Sequence, residues 1–140
     1  MPREISAGAV IFRRSKEDPE YLLLHYGLGH WDFVKGNIEK GEDEKETVQR
    51  EVVEETGIGN VSFVEGFREV IKYFYRWKGQ GIFKIVIFYL VETRRRQVAL
   101  SREHIGYRWL PYEKATTQLT FQNSKQVLLK AKSAIEGKSE

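Results

Sequence analysis

The sequence predicts an α/β (α+β) fold in which helices pack against a mixed β-sheet. Segments with strand patterns lie on both sides of one capped helix, and an amphipathic helix follows the last of them. Residues 82–91 are almost continuously apolar, which is typical of a central strand covered on both faces. The chain has 140 residues, the size of one domain, and shows no internal repeat. We therefore predict a single domain over residues 1–140.

The first predicted elements are two strands and a loop. Residues 4–13 and 20–26 are rich in aliphatic side chains, and a polar turn separates them, which predicts two strands. Residues 27–42 contain several glycines and no apolar periodicity. We expect a loop there, and because long ordered loops tend to be functional, this loop is a candidate part of a site.

A capped helix follows the loop. Asp43 and Glu46 have the spacing of a capping box, with Asp43 at the N-cap. Gly57 can adopt the left-handed conformation that commonly follows a helix C-terminus. These signals predict a helix over residues 44–56.

The rest of the chain contains three predicted strands and two predicted helices. Residues 65–77 alternate between apolar and basic toward their end, which predicts a strand with one apolar face. Residues 82–91 form the central strand, 106–110 a short strand, and 112–116 a short helix that starts after a proline. Residues 121–135 have apolar side chains at helical spacing, so we expect an amphipathic helix on the sheet.

Composition excludes several classes of protein. There are no cysteines, so disulfides, zinc–thiolate sites, iron–sulfur clusters and cysteine nucleophiles are excluded. No stretch approaches the roughly 20 apolar residues that span a bilayer, and the N-terminal residues lack the apolar core of a signal peptide. We therefore expect a cytoplasmic protein with no membrane partner.

The net charge of +3 hides a strong asymmetry along the chain. Residues 39–55 contain eight acidic and three basic side chains, a net charge of −5, so the remaining residues together carry +8. The basic remainder on its own indicates some affinity for polyanions. The acidic block needs a separate explanation.

Three glutamates of the acidic block share one face of the predicted helix. Glu51, Glu54 and Glu55 have the spacing i, i+3 and i+4, which places them one turn apart. Like charges at this spacing repel, whereas a divalent cation between them would be bound, because carboxylate oxygens are the ligands that Mg²⁺ and Mn²⁺ prefer. A solvated acidic helix face explains these three residues equally well, so both interpretations stay open at this point.

A longer pattern around the glutamates favours the metal interpretation. Gly36, Glu42 and the run from Arg50 to Ile58 have fixed spacings within the 23-residue segment GNIEKGEDEKETVQREVVEETGI. This segment resembles the Nudix box at every fixed position. The resemblance implies an α/β/α sandwich with a mixed sheet and a loop–helix–loop catalytic motif. It also implies hydrolysis of a nucleoside diphosphate linked to another moiety.

The same resemblance implies which residues hold the cofactor. It assigns the binding of Mg²⁺ or Mn²⁺ to the Gly36 carbonyl and to the carboxylates of Glu51, Glu54 and Glu55. Metal ions at such a site can neutralise the phosphates of the substrate and lower the pKa of a bound water. The expected substrate is therefore a nucleotide with a pyrophosphate linkage.

The resemblance also implies the catalytic residues. Arg50 is expected to orient the glutamates by ion pairing, and Glu42 to brace the junction of loop and helix. A glutamate near the metals can accept the proton of the attacking water. That base can be Glu51 or a carboxylate outside the box such as Glu103, so Glu51, Glu54, Arg50 and Glu103 form the catalytic set.

Segments outside the box narrow the substrate. Residues 29–37, 65–68, 101–104 and 107–110 resemble the asymmetric diadenosine tetraphosphate hydrolases of the Nudix family. This resemblance implies cleavage of diadenosine tetraphosphate, a dinucleoside polyphosphate, to ATP and AMP. The implied substrate-binding residues are Lys35 and Lys84 for phosphate, Tyr73 and Phe121 for adenine, and His30.

Each of these residues also has a plain structural interpretation. Lys84 can be a strand-end lysine whose head group reaches solvent. Tyr73 can be a core aromatic, which is the usual role of an aromatic stripe. Glu103 can be an ordinary loop glutamate, and His30 and His104 are more simply loop hydrogen-bonding residues than catalysts.

Two positions differ from the usual pattern of these hydrolases. Val34 stands where the family usually has proline, and Asn37 stands where it usually has histidine. Neither change affects the carboxylates, so hydrolysis remains expected, whereas the substrate is left more open. The alternatives are a 5′-RNA pyrophosphohydrolase, a nucleoside triphosphatase and an ADP-ribose hydrolase.

Two further classes of function are alternatives to hydrolysis. A catalytically silent nucleotide sensor on the same fold would typically lack some of the box carboxylates, all of which are present here. A basic nucleic-acid-binding domain leaves the acidic helix unexplained. We therefore expect a small nucleotide substrate, with an RNA 5′ end as a secondary partner and DNA as no partner.

Overall fold

The fold is described by a computed structural model that covers residues 3–138, with the backbone alone for Lys138. Within these residues the chain forms eight strands and three helices. The strands are β1 (Arg3–Arg13), β2 (Glu20–Tyr26), β3 (Trp31–Asp32), β4 (Val34–Asn37), β5 (Ser62–Phe63), β6 (Glu69–Trp77), β7 (Gln80–Glu92) and β8 (His104–Pro111). The helices are α1 (Glu44–Thr56), α2 (Tyr112–Gln118) and α3 (Gln122–Lys138).

All eight strands belong to one mixed sheet built around β1 and β7. These two strands run parallel, and their pairing extends from Arg3 opposite Phe83 to Phe12 opposite Glu92. On the other side of β1 lie the antiparallel strands β4 and β2, and β2 pairs further with β8 and β3. Strands β6 and β5 pair with the outer side of β7. The apolar run at 82–91 therefore does form a central strand.

The sheet separates two apolar cores. Val10 and Phe12 of β1 belong to the core that also contains residues of α2 and α3. The alternate residues Ala9 and Ile11 point to the other face, where they meet Val52 of α1. Helices thus cover both faces of the sheet, and this α/β/α sandwich confirms the predicted fold class.

Helix α1 has the predicted ends. The Asp43 side chain accepts a hydrogen bond from the Glu46 backbone (2.8 Å), and the Asp43 backbone donates to the Glu46 side chain (2.9 Å). Gly57 follows the helix in the left-handed conformation with φ of 73°. Among residues 3–138, no helix has the length and apolar character that crossing a bilayer requires.

Two stretches differ from their predictions. Residues 27–42 were expected to form a loop throughout but contain β3 and β4. These short strands pair with β2 and β1, and because they contain only two and four residues, no local pattern reveals them. Residues 65–68 form a turn with Gly66 at φ of 86°, so the predicted strand begins later, at β6.

Candidate active site

The centre of the candidate active site is the contact between α1 and β4. Gly36 of β4 pairs with Ala7 of β1, whose side chain lies in the core that α1 covers. A Cβ atom built on Gly36 would overlap the Glu51 carboxylate. The glutamate occupies the space that any other side chain at position 36 would fill. The helix therefore brings one box carboxylate directly onto the backbone of the loop.

Glu51 and Glu55 form a buried pair of carboxyl groups. The two groups lie within hydrogen-bonding reach of each other, and only 13% of the Glu51 side chain and 6% of the Glu55 side chain are exposed. Burial raises the pKa of each carboxyl group to about 7. The Glu55 charge raises the pKa of Glu51 further, whereas Arg50 opposes the shift. Two carboxyl groups this close hold one proton between them near neutral pH unless a cation compensates their charge.

Arg50 ties the loop to the helix. Its guanidinium donates to both carboxylate oxygens of Glu42 (2.6 and 3.0 Å) and to Glu51 Oε1 (2.6 Å). It also donates to Glu54 Oε2 and to the Asn37 carbonyl, at 3.2 and 3.1 Å. The hydrogen bonds from Arg50 lower the pKa of Glu42 to about 2. One side chain therefore sets the relative positions of the loop and two of the three box glutamates.

The donor set suits a hard divalent cation. Glu51 and Glu55 present adjacent carboxyl groups, and the Gly36 backbone lies against Glu51. Within residues 3–138, no three acidic or histidine side chains converge on one point as a preformed cage. Glu54 is 56% exposed and faces Arg50 instead of the buried pair. The two buried carboxyl groups are thus the structural core of the candidate metal site.

Glu103 and His104, at the start of β8, lie beside this pair. The negative charge of Glu103 raises the pKa of Glu55, and the Glu103 backbone carbonyl accepts from the Gly27 amide at 2.9 Å. His104 is buried, with its Nε2 3.1 Å from Glu55 Oε1 and its Nδ1 3.0 Å from Ser101 Oγ. Both residues therefore border the glutamate pair, although they lie about 50 positions away in the chain.

Lys35, Lys84 and Tyr73 lie on the opposite face of the sheet, the face that α3 covers. Lys84 of β7 is directly opposite both Tyr73 of β6 and Glu4 of β1, and Lys35 of β4 is opposite Gly8 of β1. Glu4 and Gly8 are four residues apart in one strand, so their partners share a face. The structure therefore brings the two predicted phosphate-binding lysines and the predicted adenine-stacking tyrosine together.

Lys35 is held by a buried acid. Its Nζ lies 3.2 Å from Oδ2 of Asp32, which is only 2% exposed. Burial lowers the pKa of Lys35, but the Asp32 carboxylate and the Tyr73 hydroxyl outweigh this effect, so the pKa lies above its usual range. The Lys35 charge also lowers the pKa of Glu55 across the strand. Lys35 therefore belongs to the lysine–tyrosine face and also acts electrostatically on the glutamate pair.

Lys84 is connected to the end of β4. Its Nζ lies 3.2 Å from Glu4 Oε1 and 3.3 Å from Asn37 Oδ1. The Asn37 carbonyl is the group that accepts from Arg50, so Asn37 contacts cations on both sides of β4. The hydrogen bond from the Tyr75 hydroxyl lowers the pKa of Glu4, which stays charged. The plain interpretation of Lys84 as a solvated strand-end lysine does not describe these contacts.

His30 and Phe121 meet in a row of rings. Their ring centroids are 5.3 Å apart, and His30 stacks on Tyr26 at 4.6 Å. Tyr26 contacts His104 edge-on at 4.5 Å, so the row extends from the half-exposed Phe121 to the histidine beside Glu55. The two predicted residues therefore border the site from the α3 end.

Sequence reasoning missed two residues of this arrangement. Asp32 accepts hydrogen bonds from the Phe33 amide and the Ser124 hydroxyl, both at 2.8 Å, besides its ion pair with Lys35. In the sequence, only the i, i+3 spacing of Asp32 and Lys35 could have indicated the ion pair between them. Tyr26 looked like an ordinary strand residue, and nothing local indicates its contact with two histidines.

The chain is similar in sequence and in fold to known proteins. A family model described as the NUDIX domain matches residues 2–131. The asymmetrical bis(5′-nucleosyl)-tetraphosphatases of Sus scrofa and Caenorhabditis elegans are 39% and 35% identical to this chain. The matches cover 88% and 79% of this chain, and 89% and 80% of those proteins. The crystal structure of a C. elegans Ap4A hydrolase binary complex is similar with a TM-score of 0.85 and 30% identity, covering 96% of this chain and 98% of that one.

Proposed function

The chain belongs to the Nudix family of hydrolases, and we propose that it cleaves diadenosine tetraphosphate (Ap4A) to ATP and AMP. Two mammalian relatives, 37–39% identical over 88% of this chain, are asymmetrical bis(5′-nucleosyl)-tetraphosphatases, which supports this substrate. In the reaction, one P–O–P linkage next to a terminal AMP unit breaks. Water supplies the oxygen and the protons that complete the two products.

The observation that carries the proposal is the buried pair of Glu51 and Glu55 against Gly36. Two acids held together away from solvent oppose folding unless a proton or a cation lies between them. Lys35, whose charge lowers the pKa of Glu55, and Lys84, which donates to Asn37 next to Gly36, have side chains that are mostly buried. Acidic groups can bind the metal ions that accompany a polyphosphate, and basic groups can bind its phosphates. A protein that binds only neutral ligands needs neither the acidic pair nor the lysines.

We further propose that Glu51, Glu54, Glu55 and the Gly36 carbonyl hold Mg²⁺ or Mn²⁺. The chemistry of these donors fits a hard cation, and Arg50 already fixes Glu51 and Glu54. When bound, the cation would neutralise phosphate charge and lower the pKa of the attacking water.

The lysines and carboxylates then have distinct roles. Lys35 and Lys84 would bind phosphate oxygens of the substrate and exchange part of their contact with Asp32 and Glu4 for contact with phosphate. A carboxylate beside the metal site would accept the proton of the attacking water, with Glu51 and the more exposed Glu103 as the two candidates. Arg50 orients the first of them.

The aromatic residues would bind the adenine. Tyr73 is half-buried on the same face as the lysines, and Phe121 is 44% exposed at the start of α3. An aromatic side chain can stack on the flat face of adenine and needs few polar contacts to do so. His30, which contacts Phe121, would border the same base.

Product analysis tests the reaction. The protein is incubated with Mg²⁺ and, separately, with Ap4A, ADP-ribose, nucleoside triphosphates and 5′-triphosphate RNA, and the products are separated by ion-exchange chromatography. We expect Ap4A to give equal amounts of ATP and AMP at the highest kcat/KM of the panel. Two ADP molecules, or no cleavage, would contradict the proposed reaction, and faster turnover of RNA or ADP-ribose would identify the alternative specificity.

A matched pair of lysine variants tests the substrate site. Lys84→Met should raise the KM for Ap4A because it removes a phosphate-facing ammonium from the site. Lys72→Met is the control, because Lys72 is the neighbour of Tyr73 on β6 and is exposed on the other face of the sheet. Equal kinetics of the two variants would contradict the role of Lys84. Glu54→Gln should in turn abolish most Mg²⁺-dependent turnover and leave the circular dichroism spectrum unchanged.

A further inference from the structure

A buried histidine next to Glu55 has no role in the chemistry described so far. His104 is the first residue of β8, and its side chain is fully buried. Its Nε2 lies 3.1 Å from Glu55 Oε1 without the alignment of a hydrogen bond, and neither atom has another hydrogen-bond partner among the described residues. Buried polar atoms without partners are costly, and native structures keep few of them. Each of these two atoms is therefore the natural partner of the other.

The chemistry of the two groups fixes where the histidine carries its proton. As a metal ligand Glu55 is ionised, and because an ionised carboxylate only accepts hydrogen bonds, Nε2 must carry a hydrogen when it faces this glutamate. A neutral imidazole carries a single N–H, which here lies on Nε2. The Nδ1 atom is then an acceptor, and the Ser101 hydroxyl, 3.0 Å away, donates to it.

The position of the ring is fixed from two further sides. The His104 amide donates to the Ser101 carbonyl at 3.2 Å, which closes the turn before β8. The Tyr26 ring contacts the imidazole edge-on at 4.5 Å, and the Tyr26 hydroxyl donates to the Phe33 carbonyl at 2.6 Å. A histidine placed this firmly against a single carboxylate is suited to orienting that carboxylate.

We propose that His104 is a positioning residue, whose Nε2–H holds one oxygen of Glu55 and so keeps the other oxygen available beside Glu51. Ser101 fixes the tautomer that this requires. The role rests on the proposed function in one respect, namely that Glu55 is a metal ligand. Hydrogen bonds to a metal-binding side chain commonly change metal affinity by roughly 10–100-fold.

The first test measures Mn²⁺ affinity without nucleotide, by electron paramagnetic resonance of the free ion. His104→Phe removes the donor and keeps a ring, His104→Gln keeps an N–H donor, and Ser101→Ala removes the partner of Nδ1. His25→Phe is the matched control, because His25 lies on β2 stacked on Trp31 and its side chain alternates to the other face from Tyr26.

We expect His104→Phe to weaken Mn²⁺ binding by about tenfold or more. His104→Gln should recover most of that loss, Ser101→Ala should show a smaller loss, and His25→Phe should match the wild type. At saturating Mn²⁺, His104→Phe should lower kcat for Ap4A more than it raises KM. A folded His104→Phe protein with wild-type Mn²⁺ affinity overturns the proposal. If that variant does not fold, wild-type affinity in Ser101→Ala overturns it.

The second test needs no metal. Long-range ¹H–¹⁵N correlation spectra of the metal-free protein at pH 8 should show His104 in the Nε2–H form, and the Nδ1–H form overturns the proposal. This measurement separates the two hypotheses. A wild-type protein that binds no Mn²⁺ contradicts the metal site of the proposed function, whereas the wrong tautomer contradicts the positioning role alone.

Discussion

Replacing Asp32 with asparagine should destabilise the protein and loosen Lys35, a proposed phosphate-binding residue. Asp32 Oδ1 accepts from the Phe33 amide and the Ser124 hydroxyl, and Oδ2 accepts from Lys35. The asparagine oxygen can keep the two bonds of Oδ1. Its amide nitrogen then replaces Oδ2 and places a donor against the Lys35 ammonium, so the substitution removes mainly this one contact.

The magnitude follows from the burial of the two partners. A hydrogen bond to a charged group contributes about 1.5–3 kcal/mol. Asp32 is 2% exposed, but 21% of the Lys35 side chain is exposed, so water can solvate the freed ammonium in part. We therefore expect a loss of about 2 kcal/mol in the free energy of unfolding, or about 6 °C in Tm for a domain of this size.

Lys35→Met should be the more damaging single change. It removes the ammonium and leaves the buried carboxylate of Asp32 without its counter-charge, which costs about 3–5 kcal/mol for a buried pair. The double variant Asp32→Asn/Lys35→Met has no unpaired charge at this position. Its loss of unfolding free energy should therefore be smaller than the sum of the losses of the two single variants. Ser124→Ala is the control, because it removes a donor to Asp32 but leaves both charges paired, and it should cost about 1.5 kcal/mol.

Urea unfolding of the four variants, followed by tryptophan fluorescence, measures these free energies. Single-variant losses that add within about 0.5 kcal/mol would show that the two side chains do not interact and would refute the reasoning. Ap4A kinetics provide a second readout. Asp32→Asn should raise KM more than it lowers kcat, because it disturbs a group that would bind phosphate.

Three further outcomes are expected. Gly36→Ala should lower kcat by about 100-fold, measured at saturating Ap4A, because the new methyl group displaces the Glu51 carboxylate; an unchanged kcat would contradict the placement of that glutamate. Glu42→Gln should reduce stability most above pH 4.5, because Arg50 holds the folded-state pKa of Glu42 near 2. The stabilisation from the charged form is lost as the pH falls toward 2, so urea midpoints of wild type and variant should converge there, and a constant gap would speak against the ion pair. Chelation with EDTA should abolish turnover, and Mg²⁺ at about 100 times its Kd should stabilise the protein by about 2.7 kcal/mol in calorimetry; activity in EDTA would exclude the metal mechanism.

The helix of the site was predictable because its signals are local. Asp43, Glu46 and Gly57 lie within the helix ends that they define, and both caps form as predicted. The common helix face of the box glutamates was predictable for the same reason, because the helical repeat alone sets which side chains share a face. What the helical repeat cannot show is that Glu54 faces Arg50 while Glu55 turns inward.

The remaining parts of the site depend on contacts between distant segments. β4 exists because its backbone pairs with β1, which lies about 30 residues earlier, and its four residues are too few to show a strand pattern. One of the hydrogen bonds that hold Asp32 comes from Ser124, which lies 92 positions later in the chain. His104 was interpreted as a loop hydrogen-bonding residue. It does contact Ser101, but its contact with Glu55 arises only once β8 pairs with β2.

The parallel pairing of β1 with β7 has a consequence for synthesis of the protein on the ribosome. Residues that are adjacent in this pair lie about 80 positions apart in the chain, so β1 leaves the exit tunnel long before its partner is made. Closing so long a loop is slow, and the apolar β1 edge stays available to other nascent chains meanwhile. The glutamate helix emerges within this interval, before the strand that completes the surface beneath it. While β1 lacks this partner, the acidic block gives the emerged chain a net charge of −5, which opposes association between copies.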